Sequence, residues 1–267
     1  MGPKISPTRL LTPSLYVQRD QPEGVPPLSL TGERTLPDVP EENYWYRRHL
    51  VVYEWIAERV AGLRTIDMAC GEGYGSAVLA RAAACVVGVD ANPEAHEHAR
   101  LRYRAANLSF ARELVDGFSA EADAIVFLQT IEHLEHPGRV LEHFRSLVGE
   151  RGWVFLSTPN VRTLAPKGAA RSDNPWHVHE YRLAEFGSLC REHFSRVEMH
   201  GLFHARKLRA HELALRLGWD AVHARLRLTG PFYDRFTPAI ATSDFALRAE
   251  GEADLERALD FVAVCRP

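Results

Sequence analysis

Cysteine is scarce: four stand in 267 residues, at Cys70, Cys85, Cys190 and Cys265, and no two have CxxC spacing. A structural zinc site and a disulfide framework are thereby set aside, and a reducing cytoplasm is the expected setting. No apolar run approaches the roughly 20 residues that cross a bilayer. The opening stretch MGPKISPTRLLTPSLYVQ lacks the sustained apolar segment of a secretory signal. Neither charge is in large excess. There are 32 Lys and Arg against 35 Asp and Glu, for a formal charge of −3 and a pI near 6.5. A global basic field for nucleic acid or membranes is therefore missing. What basic character there is lies locally, in Arg162, Lys167 and Arg171 and in Arg206, Lys207 and Arg209. Internal repeats and low-complexity blocks are also absent.

What is present is an ordinary globular composition, 46% hydrophobic, in a chain long enough for one large core. Residues 1–40 are punctuated by Pro22, Pro26, Pro27, Pro37 and Pro40. They read as an irregular arm, disordered at its start, with 30–35 as an ordered loop laid across the domain. From Glu41 the apolar positions Trp45, Leu50, Val51, Tyr53, Ile56, Val60 and Leu63 recur at helical spacing.

Strands are then expected at 65–69, 85–89, 108–111, 123–128, 153–157, 195–200 and 259–265, and helices at 75–83, 93–104, 137–148 and 183–192. Asn92-Pro93 opens its helix with a capping side chain and a proline in the first turn. Strands alternating with helices predict an α/β fold, a mostly parallel sheet with helices on both faces. Residues 160–180 read as a long functional loop. The expected organisation is an arm (1–40), a core (41–202 and 258–267) and an α-rich cap (203–257), inserted before the last strand and covering the active site.

The strongest motif is Asp67-Met-Ala-Cys-Gly71-Glu-Gly73-Tyr-Gly75, between a strand and a helix. Gly71 and Gly73 remove side chains where the backbone turns tightly and meets a ligand. The spacing is GxGxG rather than the GxGxxG of a dinucleotide site. Asp90 ends the next strand, 19 residues after Gly71, where a carboxylate accepts hydrogen bonds from both ribose hydroxyls. A glycine-rich turn alone also serves merely to pack a helix on a sheet; strand, turn and second carboxylate together point to a nucleotide-like cofactor.

These residues resemble the class I S-adenosylmethionine-dependent methyltransferases, over about residues 43–200 and the last strand. The resemblance implies a Rossmann-like, seven-stranded sheet with an antiparallel last strand, and S-adenosylmethionine as cofactor, leaving S-adenosylhomocysteine. It implies that Gly71 and Gly73 line the methionine part, that Asp67 supports the amino group, that Asp90 holds the ribose and that Ala91 contacts adenosine. Ala69 and Tyr74, within the same motif, join the expected cofactor contacts. Arg112, with Glu113, stands after the third strand, where the family usually has an acidic residue near the adenine amine. Gln129 lies at the pocket mouth. Tyr46, Arg47 and His49 lie on the helix that often closes over the methionine carboxylate, with which one of the two arginines, Arg47 or Arg48, is expected to pair. YWYRRH also fits a plain amphipathic surface helix.

On the acceptor side, Gln129-Thr-Ile-Glu132-His133-Leu follows the fourth strand, Ser157-Thr-Pro-Asn160 the fifth, and Asn174-Pro-Trp176-His177-Val-His179-Glu180-Tyr181 comes later. Ligands bind at the C-terminal ends of parallel strands, so Glu132, His133 and His177 should converge beside the cofactor. His133, and His177 after it, suit the general base that an alcohol acceptor needs. Glu132, His133 and His177 also form a candidate site for a divalent cation such as magnesium, which would orient acceptor hydroxyls. That order resembles the metal-dependent 2′-O-methyltransferases of small-RNA 3′ ends, which carry another Glu where Gln129 stands.

The stretches LTGERTLPDVPEENYWYRRHLVVYEW, CGEGYG, QTIEHL, STPN, NPWHVHEY and GLFHARKLR resemble an actinobacterial methyltransferase subgroup associated with making methylglucose lipopolysaccharide. This implies O-methylation of a hexose hydroxyl, 6-O of glucose, in a small-molecule or oligosaccharide acceptor. Trp176, Tyr181, Phe203, His204, Trp219, Phe232 and Tyr233 supply aromatic groups for stacking on a sugar. The other readings are a secondary metabolite, an RNA 3′ end, which would need a basic stripe, and a non-catalytic cofactor-binding module.

Overall fold

The computed structural model describes residues 17–32, 34–166 and 168–267. The start of the expected arm, residues 1–16, and Lys167 of the local basic patch lie outside the described residues. Short aliphatic runs ended by glycine or polar turns become the parallel strands β1 (Arg64–Met68), β2 (Cys85–Val89), β3 (Leu108–Ala111), β4 (Ala124–Leu128) and β5 (Trp153–Pro159). They pair in the order β3-β2-β1-β4-β5. The chain then adds β6 (Arg196–His204), β7 (Phe245–Ala249) and β8 (Asp260–Arg266). β8 lies antiparallel to both β5 and β6, and β7 pairs antiparallel with β6 at the edge.

The sheet thus has eight strands where seven are predicted. The extra one, β7, is a short edge strand whose pattern, Phe-Ala-Leu-Arg-Ala, alternates weakly. Its pairing is supplied by β6, which runs four residues beyond its expected end.

Helices α1 (Asn43–Ala57) and α2 (Tyr74–Leu79) pack on one face, and α3 (Pro93–Arg102) runs beside β3. Helix α4 (Pro137–Val148), the single turn α5 (Val161–Leu164) and α6 (Leu183–His193) complete the core helices. β4 shows why both faces are covered: Ala124, Val126 and Leu128 join the α1–α2 core, while Ile125 and Phe127 join the α4–α6 core. In α3 the Asn92 side chain accepts from the backbone N–H of Glu94 and Ala95, the cap expected from sequence.

Between β6 and β7 come α7 (Arg206–Arg216), α8 (Trp219–Arg225) and α9 (Thr229–Phe236). They pack through their own aromatic cluster. Phe232 stacks on Phe236 and His211, and His223 sits against Trp219 and Phe232. Trp219, Phe232 and Tyr233 are therefore engaged in helix packing.

One long-range pair closes the architecture. Arg48 of α1 donates to both carboxylate oxygens of Asp260, at the start of β8, at 2.7 and 2.5 Å, and to the Leu259 carbonyl at 2.8 Å. Both side chains are buried. Removing one member of such a pair strands a charge, so Asp260→Ala is expected to lower unfolding free energy by about 3–5 kcal/mol. Urea denaturation measures it, and a loss below about 1 kcal/mol would show the pair to be a surface-type contact.

Candidate active site

The cofactor side is built on the turn between β1 and α2. The Cys70 N–H donates to Val89 across to β2, and the Gly73 N–H closes the turn on the Cys70 carbonyl. Gly73 has φ +95°, and a Cβ there would lie 2.7 Å from the Ala99 Cβ. At Gly75 a Cβ would lie 2.2 Å from the Tyr53 ring, so only glycine lets α1 approach. The same approach carries the Tyr53 hydroxyl to Asp67 at 3.2 Å, and the Ser76 hydroxyl donates to the other oxygen at 2.6 Å. Asp67 is fully buried; burial pushes its pKa up to about 7, against the lowering effect of the Ser76 and Tyr53 bonds.

Asp90, half-buried at the end of β2, accepts from the Gly71 N–H at 2.8 Å and from the Asn92 N–H at 2.9 Å. The glycine turn and the second carboxylate are thus joined directly. Ala91, beside Asp90, is exposed. Ala69 (φ 56°) and Gln129 (φ 52°) are left-handed at the C-terminal ends of β1 and β4, neighbouring strands where the winding reverses. Such a backbone costs an L-residue about 1–2 kcal/mol, and this strain falls where the fold places its ligand crevice. Gln129 is held by Ser157: its backbone N–H donates to the Ser157 carbonyl and its side-chain amide to the hydroxyl at 3.0 Å.

The arm is tied to this turn through Glu72. That buried carboxylate receives the Gln18 amide at 3.1 Å, the Tyr103 hydroxyl at 2.8 Å, the Tyr74 N–H at 3.1 Å and His98 at 2.9 Å, with Arg102 at 3.1 Å. The other nitrogen of His98 reaches the Pro26 carbonyl at 2.7 Å, and Arg102 also binds Asp38. The arm loop consequently lies over the crevice. A Cβ on Gly71 would meet the Arg34 Cβ at 3.9 Å, and one on Gly32 would meet the Trp176 indole nitrogen at 4.0 Å. Thr35 hydrogen-bonds His49 Nδ1 at 3.1 Å; enclosure pushes the His49 pKa down to about 4.

On the acceptor side, Glu132, His133 and His177 come together as expected, their ligand atoms all within 4.8 Å of one another. Glu132 is buried and accepts from the Thr158 hydroxyl at 3.1 Å; burial pushes its pKa up to about 8. His133 Nδ1 lies 2.8 Å from the Trp176 carbonyl, an acceptor only, so Nδ1 carries the hydrogen and the lone pair is on Nε2. His177 Nδ1 is 2.7 Å from Glu180, and its Nε2 lies 2.9 Å from the Asn174 side-chain amide. Burial raises the Glu180 pKa, but hydrogen bonds from Ser172 and His177 outweigh it and the net shift is downward. The loop is locked in place by the Glu132 carbonyl, which accepts from the N–H groups of Val178 and His179.

The remaining candidates lie farther out. Tyr46, Arg47 and Tyr74 line a groove of about 700 Å³ between the arm, α1 and α2, and Arg112 is exposed. A second hollow, of about 580 Å³, sits outside β3. Neither contains Asp90, Gln129 or the histidine pair. Sequence reasoning missed Tyr53, Ser76, Glu72 and Glu180. Only Glu72, inside the glycine motif, and Glu180, three residues after His177, carried a local signal.

A Rossmann-like sheet with this turn after β1 and a carboxylate ending β2 defines the methyltransferase class of nucleotide-cofactor folds. A sequence profile described as a methyltransferase domain matches residues 44–213. A probable S-adenosylmethionine-dependent methyltransferase of Mycolicibacterium smegmatis is 38% identical over 250 residues, covering 89% of this chain and 94% of that one. A ubiquinone biosynthesis O-methyltransferase of Albidiferax ferrireducens is 33% identical over 157 residues, covering 52% of this chain and 62% of its own. Among solved structures, a Thermotoga maritima SAM-dependent methyltransferase, described as a possible histamine N-methyltransferase, superposes with a TM-score of 0.56. It is 13% identical and covers 85% of this chain and 94% of its own. The chain belongs to the S-adenosylmethionine-dependent methyltransferases.

Asp67 yields a signed prediction. Its folded pKa lies above the ordinary 3.8, at about 7. Its contribution to stability is therefore full below pH 3.8 and is lost as pH rises through about 7. Asp67→Asn should flatten that slope in the ligand-free protein, measured as melting temperature against pH. It should also weaken cofactor binding about 100-fold by calorimetry, the equivalent of a lost charged hydrogen bond. Unchanged affinity would remove Asp67 from the cofactor site.

Proposed function

We propose that this methyltransferase acts on a hydroxyl of a sugar or oligosaccharide, with His133 as general base. The observation that carries the base assignment is the place of His133 at the strand ends beside Glu132 and His177, its ring oriented by the Trp176 carbonyl 2.8 Å from Nδ1, which in the neutral ring puts the lone pair on Nε2. The residues present fit the cofactor. Asp90 is only half-buried, and its oxygens retain accepting capacity beyond the two backbone N–H bonds. When bound, S-adenosylmethionine supplies a methyl group activated by its sulfonium. The chain's contribution is to hold the hydroxyl in line, exclude water and take the proton at Nε2. The same reading assigns Gly71, Gly73 and Asp90 with Ala91 to the cofactor, and Gln129 to the junction between cofactor and acceptor.

A sugar acceptor is supported by the half-exposed Trp176 indole beside His133, an open aromatic surface at the mouth of the crevice. It is supported also by the resemblance to the methylglucose lipopolysaccharide subgroup. Tyr181, by contrast, is buried. We assign residues 41–202 and 258–267 to the transferring core, 1–40 to an N-terminal arm and 203–257 to a cap on the acceptor side. His204 supports the last assignment, linking Tyr44 of α1 at 2.9 Å to Glu212 of α7 at 3.3 Å.

A second reading, metal-assisted transfer as in RNA 3′-end 2′-O-methylation, is favoured by one observation, the convergence of Glu132, His133 and His177. The donor types fit a divalent cation, which would take the His177 Nε2 now held by the Asn174 amide. His177 is oriented by Glu180, the carboxylate–histidine arrangement common behind metal ligands. Those three residues would hold the ion, which would orient acceptor hydroxyls and acidify one of them.

An acceptor screen with labelled cofactor, using gluco- and manno-oligosaccharides with and without divalent cations, tests both readings. His133→Ala is expected to lower kcat about 10²–10⁴-fold with cofactor affinity unchanged. Intact turnover would overturn the base assignment, and activity indifferent to chelator would overturn the metal.

A further inference from the structure

Ten large apolar side chains are exposed among the described residues, and six of them crowd into one stretch: Leu213, Leu217, Trp219, Val222, Leu226 and Leu228. Leu217, in the turn between α7 and α8, is 80% exposed. Trp219 packs one side of its ring on His223 and still leaves 40% of its surface exposed. The interior of the three-helix segment is already filled by His211, His223, Phe232 and Phe236, packed ring on ring.

The same segment is strongly basic. Residues 206–236 hold seven Lys or Arg against three Asp or Glu, in a chain whose formal charge is −3. Arg216 is paired with Glu212, and Lys207 with Asp244. Arg206, Arg209, Arg225, Arg227 and Arg235 make no ion pair among the described residues. Leucine, valine and tryptophan interleaved with unpaired arginines on short helices form the composition that settles into a lipid headgroup region. There the aliphatic groups enter the acyl boundary and the guanidiniums meet phosphate.

Charge decides between the occupants. A second copy seated by two-fold symmetry would set the same arginines face to face. An apolar protein partner would leave them unmatched. The six apolar side chains line neither of the two cavities described above. A fluid bilayer needs no shaped recess, and an anionic one matches the charge. No helix among the described residues is long and apolar enough to cross a membrane, so the contact would be peripheral.

We propose that the outer surface of α7, α8 and the 226–228 turn docks this enzyme on an anionic lipid bilayer. The test is flotation of the full chain with vesicles of phosphatidylglycerol mixed equally with phosphatidylcholine, against phosphatidylcholine alone, at low and raised salt. Binding to the anionic vesicles should be at least about tenfold tighter and should weaken with salt. L217E/L226E should abolish that preference while melting temperature and cofactor affinity stay unchanged. R225E/R227E should weaken binding and reduce its salt dependence, which keeps the test decisive should the first variant fold poorly. Equal binding to both vesicle types, or variants that bind like the parent, would overturn the proposal. So would a dimer in sedimentation that L217E/L226E converts to monomer, since the surface would then be a self-contact.

Discussion

The site depends on the buried ion pair between Arg48 and Asp260, residues 212 apart in sequence. Asp260 begins the one strand that runs antiparallel inside the sheet, so it stands at the C-terminal edge of β4 and β5, where the crevice opens. Pairing with it pins α1 across the strand ends. Three neighbours on that helix are placed as a result: Tyr53 on Gly75 and Asp67, His49 against the arm at Thr35, and Tyr44 against His204. A buried pair adds little net stability over well-packed apolar residues. Here it sets the position of a helix that touches the cofactor turn, the arm and the acceptor segment together.

The crevice also holds two acids near neutrality. Burial lifts Asp67 to about 7 and Glu132 to about 8, against the lowering effect of hydroxyl and backbone hydrogen bonds. A carboxyl in that state gains most from a positive charge brought close to it. The proposed ligands supply it on both sides: a sulfonium and an ammonium near Asp67, and a cation or an imidazolium near Glu132. The low dielectric that makes the empty site costly makes the occupied one strong.

Much of this was legible in the chain. Strand β2, strand β3 and helix α4 fall on their predicted residues, because β-branched runs and the 3.6-residue period are local signals. The Asn92 cap and the Asp67–Gly71–Asp90 constellation were likewise local. Three things were not. Helix α1 stops at Ala57, although Val60 and Leu63 continue its apolar spacing; those two residues pack from the following turn. Arg48 stands in YWYRRH, which fits a plain amphipathic surface helix or a carboxylate-binding one, and nothing nearby announces a partner 212 residues away. Glu72 stands between Gly71 and Gly73, and its five partners come from the arm, α3, the residue after α3 and the turn itself. Buried polar groups are specified by tertiary contacts, and those have no period to read.

The arm completes the link between the two halves of the site. Its loop approaches Gly71 through Arg34 and the Trp176 indole through Gly32, and Thr35 meets His49. Trp176 in turn sets the tautomer of His133 through its carbonyl, and the Glu132 carbonyl fixes the residues that follow His177. Gly32, Arg34 and Thr35 therefore form one wall with segments 129–133 and 174–180, although these stand far apart in sequence. Glu72 fastens the arm to the cofactor turn with buried, charge-assisted bonds. The arm is thus tied to the turn through Glu72 and, through Trp176, to His133, so the orientation of the proposed base is linked to the packing of a segment distant from it in sequence.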